Sequence, residues 1–173
     1  FNLAGKPFVI AEAGREVGGA ATIKLGGWLH FNRFDLLGTG SRGVAPNWSI
    51  YGIADWRVAG ATDAKRQLSI FARATLSPRD RNPVPIYLDF GATLSSPFNS
   101  RPDDAVGLAF ANARLSPRLA PPISPSGEKV VEFSYSAALS KGLKVQPNLQ
   151  LIVEPTDPAT FATDHRAVFA AGI

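Results

Sequence analysis

Nine side chains in this sequence could act together on a solute: Lys24, Trp28, Tyr51, Asp55, Arg57, Phe71, Arg73, Tyr87 and Asp89. Most alternate with apolar or small neighbours, so in an extended chain each group shares one face of its strand. A guanidinium carries five donors and no acceptor, and aromatic rings carry an apolar face. Together they suit a neutral, polyhydroxylated solute, with donors at its edges and rings on its face. Arg33 lies close to the same faces. Two blander roles compete with this one: the cations could simply solvate a wall, and the rings could pack against an inward-folded loop. Hairpin arithmetic brings part of the set together. A turn centred near Thr62 pairs Asp55 with Ser69 and Tyr51 with Arg73, and one centred near Asp80 pairs Arg73 with Tyr87 and Phe71 with Asp89. Tyr51, Arg73, Tyr87 and Asp89 then form one patch.

Other chemistries find little support. Asp55, Asp89 and Glu132 could be mistaken for the carboxylate pair of a glycosidase, but arginine partners suit them better. Asp103-Asp104 reads as the cap of a turn, because carboxylates accept nearby backbone N–H groups. There is no cysteine, and His30 and His165 stand far apart, so no metal-ligand spacing exists. No nucleophile triad or phosphate loop stands out, and neither an enzyme activity nor a cofactor is expected. The net charge of +4 is spread along the chain rather than gathered into a basic block, which argues against nucleic acid as a partner.

The elements that position these residues are strands. With 16 Gly and 14 Pro, the chain is punctuated too often for long helices. Apolar residues are scattered, mean hydropathy is +0.02, and no run approaches the roughly 18–20 apolar residues of a transmembrane helix. Four segments show clear alternation with a period of two: Thr22 to Asn32, Gln67 to Leu76, Val84 to Leu94 and Leu143 to Val153. Weaker candidates are Pro7 to Ala13, Ser49 to Val58, Ala105 to Arg114, Val130 to Leu139 and Arg166 to Ile173. Turn chemistry separates them, at Gly18-Gly19, Gly38-Thr39-Gly40, Ala59-Gly60, Ser77-Pro78-Arg79-Asp80, Pro121-Pro122 and Ser140-Lys141-Gly142. No connection is long enough for a crossover helix, so the expectation is an all-β antiparallel meander of about nine strands.

The strands run to about nine to eleven residues, the length that crosses a bilayer at a tilt, whereas sandwich strands average about five to six. The connections around 36–47, 116–127 and 154–165 are long and fall at one end of the meander, and those around 59–66 and 140–142 are shorter. That asymmetry is expected of part of a transmembrane porin β-barrel. Ile70, Leu88, Phe90 and Leu149 should face lipid, and Trp56 and Tyr135 should belong to interfacial aromatic girdles. The competing fold is a soluble all-β carbohydrate-binding module, in which a second sheet buries the apolar face. The opening residues show no basic region followed by an apolar stretch, and residues 1–173 read as one partial barrel domain cut from a longer chain.

Several stretches, in order, carry a resemblance: Thr22-Ile23-Lys24-Leu25-Gly26-Gly27-Trp28-Leu29-His30 followed by Arg33-Phe34-Asp35, then Ile50-Tyr51-Gly52-Ile53-Ala54-Asp55 and Leu68-Ser69-Ile70-Phe71-Ala72-Arg73. Arg101-Pro102-Asp103-Asp104 with Val106-Gly107-Leu108-Ala109-Phe110, and Gln146-Pro147-Asn148-Leu149-Gln150, complete it. Together they resemble the carbohydrate-selective porins (OprB type) of Gram-negative outer membranes. The resemblance implies a sixteen-strand barrel, of which this chain holds the later strands, with a water-filled lumen through which small sugars diffuse. Its partners would be sugars as permeating solutes, outer-membrane lipid and the remaining strands of the barrel, and a homo-oligomer is compatible with it. The chain stops at Ile173, without the aromatic ending usual for the family's last strand, and the loop from Leu36 to Asn47 is shorter than the family suggests.

Overall fold

A computed structural model describes residues 6–40, 43, 45–119, 127–157, 160, 164 and 166–172. The turn at Pro121-Pro122, His165 and Ile173 lie outside the described residues. The strands are β1 (Phe8–Val17), β2 (Ala21–Phe34), β3 (Ala45–Ala59), β4 (Gln67–Leu76), β5 (Ile86–Ser95), β6 (Ala105–Arg114), β7 (Gly127–Ser140), β8 (Leu143–Val145), β9 (Asn148–Val153) and β10 (Ala167–Gly172). They form one antiparallel sheet in sequence order from β1 to β7, then β9 and β10, with β8 beside β7. β1 and β10 are its two edges. No second layer covers it among the described residues, where Leu115 and Pro85 are the only buried apolar side chains. The sandwich alternative is therefore not what forms.

The tenth strand comes from splitting the segment Leu143 to Val153. Ala137 faces Val145 and Ser134 faces Asn148, so both pieces hold one register against β7. The gap falls at Gln146-Pro147, where the proline has no N–H to give to the ladder. Its carbonyl still accepts from the Tyr135 N–H at 3.0 Å.

The pairing sorts the side chains into two faces. Ile70, Leu88, Phe90 and Leu149 fall on one, together with Ile23, Leu25, Ile50, Leu108, Val131 and Phe133, and all of these are exposed. Large apolar side chains left in the open across a whole sheet face mark a surface that meets a membrane or a partner. Connections 35–44, 77–85, 115–126 and 154–166 emerge at one end, and 18–20, 60–66, 96–104 and 141–142 at the other. Gly18 and Gly19 close the β1–β2 turn with φ of 59° and 64°, which glycine adopts at little steric cost.

At the short-turn end, Asp104 is the turn cap that the sequence suggests. It is 3% exposed and accepts from the Arg101 guanidinium, the Tyr135 hydroxyl and the Ala138 N–H. These bonds tie the 96–104 turn to the end of β7. Tyr135 faces outward, as a girdle residue should, with its hydroxyl spent on this cap. Arg101, and then Tyr135, hold the Asp104 carboxyl at about 2, below its ordinary 3.8. A lowered carboxylate stabilises the fold above the unfolded value, and that contribution disappears as pH falls through the folded value. Melting of the full-length barrel should therefore drop between about pH 4 and pH 2. An Asp104→Asn barrel should melt lower at pH 7 and respond less in that window, as thermal melts in detergent would show.

A candidate solute site on the polar face

The nine candidate residues all lie on the face opposite the exposed apolar one. The registers differ from the hairpin arithmetic. Tyr51 faces Thr75, Ile53 faces Arg73 and Asp55 faces Phe71, because the hairpin closes about one residue further along the chain than Thr62, which moves each pairing by two residues. In the next hairpin Arg73 faces Asp89, Thr75 faces Tyr87 and Phe71 faces Gly91. A shift of two preserves the face and changes the neighbours.

The single patch expected from Tyr51, Arg73, Tyr87 and Asp89 is consequently two clusters. In the first, Arg73 grips Asp89 as a fork, with Nε to Oδ1 at 2.9 Å and Nη2 to Oδ2 at 2.8 Å. The Tyr87 hydroxyl donates to the same carboxylate at 3.1 Å. The guanidinium carbon lies 5.1 Å from the centre of the Phe71 ring, within cation–π range. Phe71 in turn lies over Gly91, where an added Cβ would come within 2.8 Å of its ring. Asp89 is 6% exposed while the Arg73 side chain is 52% exposed. The buried carboxylate thus fixes a half-open cation. Two of the five guanidinium donors are occupied by Asp89, which leaves three for a solute.

In the second cluster the Tyr51 hydroxyl donates to Glu12 at 2.7 Å, and Lys24 pairs with the same carboxylate at 3.4 Å. Tyr51 lies over Gly26, where a Cβ would meet its ring at 2.4 Å. Both glycines are therefore open seats for aromatic rings on the next strand. The sheet as a whole matches solved architecture, namely a high-pH structure of OprB from Pseudomonas putida. The TM-score is 0.75 at 21% identity, covering 95% of this chain and 46% of that one. Porin B of Pseudomonas aeruginosa is 30% identical over 135 residues, 66% of this chain and 29% of that protein. The sequence matches the carbohydrate-selective porin, OprB family, over residues 1–169. The chain belongs to this family. It spans less than half the length of both relatives.

In this porin chain the remaining candidates do other work. Arg57 donates to the Gly19 carbonyl at 3.0 Å and to the Thr62 hydroxyl at 2.9 Å, pinning the short-turn end. Trp28 packs against Phe8 with ring centres 5.8 Å apart. Asp55 is exposed beside Phe71 and forms no ion pair with an arginine, contrary to the expectation for it. Glu132 accepts from Gln150 rather than from an arginine.

Two features escape the sequence reading. Glu12, which holds the second cluster together, sits on β1, where apolar and polar residues alternate too weakly to mark it. The connection 77–85 is more than a turn: it folds over the polar face at the long-loop end. Asn82 exchanges hydrogen bonds at 2.9 Å with Asn47, Arg81 donates to the Pro46 carbonyl at 2.8 Å, and Ser116 donates through its N–H to the Pro83 carbonyl at 2.8 Å. Asn47, Ser49, Pro85 and Leu115 are buried beneath or beside it. The 77–85 connection therefore forms a fixed shelf over the strand ends.

Proposed function

We propose that this chain forms part of the wall of an outer-membrane diffusion channel, and that small sugars pass along its polar face without being chemically changed. The observation that carries the reading is the Arg73–Asp89–Tyr87–Phe71 cluster, a cation half-open to the lumen beside two rings. Such a group offers donors to vicinal hydroxyls and an aromatic surface to the apolar side of a pyranose. Release stays easy because the site is an open wall rather than a pocket, and conduction requires binding that is weak enough to leave. Lys24, Tyr51 and Glu12 provide a second contact on the same wall.

Membership of a family of Gram-negative outer-membrane porins supports the location and the channel role. Two unpaired sheet edges, and the 46% of the Pseudomonas putida chain that is matched, support a barrel completed by further strands of the same protein. An open edge in lipid would leave backbone donors unsatisfied, which a membrane does not tolerate. The test is conductance of the full-length protein in a planar bilayer, titrated with several sugars. Saturable block of the ion current by at least one sugar is expected, and linear, sugar-independent conductance would overturn the reading.

A further inference from the structure

The outward face is not uniformly apolar. Within the regular pairings, three charged side chains fall on it, Arg15, Arg114 and Lys129, and no Asp or Glu does among the described residues. Every charge at these strand positions is therefore positive, and the carboxylate that reaches them is Glu154, which pairs with Lys129 and leaves Arg114 as the main cation. Arg114 and Lys129 lie together at the long-loop ends of β6 and β7, with Asn112 completing a polar triangle, since Asn112 faces Lys129 and Arg114 faces Gly127. Gly127 lets the two backbones approach closely there, since an added Cβ would meet the Ala113 carbonyl oxygen at 2.5 Å, and Arg114 is exposed. Lys129 is half-exposed and shares its charge with Glu154.

Directly below the triangle, a groove of about 480 Å³ runs down the same face. Phe90 and Phe110, with ring centres 5.2 Å apart, line it together with Ile70, Leu108 and Val131. Phe110 is two residues from Asn112, so the cations and the groove are separated by about 7 Å along one strand. The long-loop end of an outer-membrane barrel faces the cell exterior, which places the triangle at the headgroup level of the outer leaflet. A cationic head site above an apolar channel matches an amphiphile that carries a phosphate above an acyl chain.

From this we infer that the β6–β7 outer surface is a binding site for a phosphorylated, acylated glycolipid of the outer leaflet. Arg114 and Lys129 hold the phosphate, and an acyl chain lies in the groove that Phe90 and Phe110 line. The proposal rests on the outer-membrane channel reading under Proposed function, with the long-loop end at the cell exterior. Arg15, alone at the short-turn end, supplies an internal control because it is outward-facing and cationic but far from the triangle.

The test is native mass spectrometry of the full-length barrel in detergent, titrated with lipid A, with dephosphorylated lipid A and with phosphatidylcholine. Lipid A should bind at least tenfold more tightly than the other two. Arg114→Glu should remove that preference, Lys129→Gln should weaken it severalfold, and Arg15→Glu should leave it intact. If Arg114→Glu fails to fold, the phosphorylated and dephosphorylated lipids compared on the unaltered protein still decide. Equal affinity for those two, or an unchanged preference in a folded Arg114→Glu barrel, would overturn the site. So would a barrel dimer that Arg114→Glu dissociates, because a second copy would then occupy the surface. Sugar block of the current is read separately, so a channel without sugar binding would discard the transport reading while leaving a lipid preference in place.

Discussion

Placing an arginine at Phe90 should cost the full-length barrel about 2–4 kcal/mol of folding stability in lipid, the penalty for a cation near the bilayer midplane on a lipid-facing strand position. Phe90 lies in the middle of β5 and is 48% exposed on the outward face. Its cross-strand neighbours are Ala72 and Phe110, so no acid stands ready to pair with the new charge. Leu88 is a weaker choice, because its neighbour on β6 is Asn112 and it lies a row nearer the polar end. Trp48 and Trp56 bracket the same band on β3, both outward and exposed. Eight residues apart, they span about 26 Å of strand, or about 20 Å of membrane depth at a tilt of about 40°. Urea titration of refolding into lipid vesicles reads the effect. A Phe90→Arg barrel as stable as the parent would mean that this face does not meet lipid, and a smaller loss at Leu88→Arg than at Phe90→Arg is the accompanying expectation.

The facing of the strands was legible because alternation with a period of two survives errors of register. Ile70, Leu88, Phe90 and Leu149 are correctly placed by parity alone, whichever residues lie across from them. The alternation in β6 is weak for a physical reason. Its inward side is Ala105, Gly107, Ala109, Ala111 and Ala113, and small residues carry too little polarity to contrast with Val106 and Leu108 across the strand. A smooth, small-residue wall beside the Arg73 cluster was thus hidden by its own composition. The split near Pro147 was legible in principle, since a proline inside a strand pattern marks an interruption of the ladder.

The site was legible in its members and not in its grouping. A hairpin's register depends on where the turn closes, and a closure one residue further along the chain is not visible in the turn residues. Tyr51 therefore left Arg73 for Glu12 and Lys24. The glycines carried a signal that could have been used. Gly26 and Gly91 fall on the inward face of strong strands, where a missing side chain makes room for a ring from the next strand. The shelf at 77–85 shows no such signal, because its order comes from backbone and amide hydrogen bonds between distant segments, such as Asn47 with Asn82.

A cycle of variants at Arg73 and Asp89 separates solute binding from wall stability. Asp89 is buried, so Arg73→Gln leaves it with only the Tyr87 hydroxyl among the bonds described. Losing a charge-assisted partner from a buried carboxylate costs about 1–3 kcal/mol, so this single variant should fold less stably, and an alanine there would not be silent either. Arg73→Gln with Asp89→Asn removes both charges and lets two amides share a hydrogen bond, so stability should largely return. Sugar block of the current should not return with it. One charge-assisted hydrogen bond to a hydroxyl, worth about 1.5 kcal/mol, corresponds to roughly a tenfold loss of affinity, and both variants lacking Arg73 should show it. Asp89→Asn alone keeps the guanidinium and frees two of its donors, so block should persist while ion selectivity moves toward anions. Arg73→Gln should move selectivity the other way, toward cations. Planar-bilayer recordings with a titrated sugar, alongside urea melts of the same four proteins, read both quantities. If sugar block followed stability across the cycle instead of following the presence of Arg73, the cluster would be a structural clamp and the sugar would be bound elsewhere on the wall.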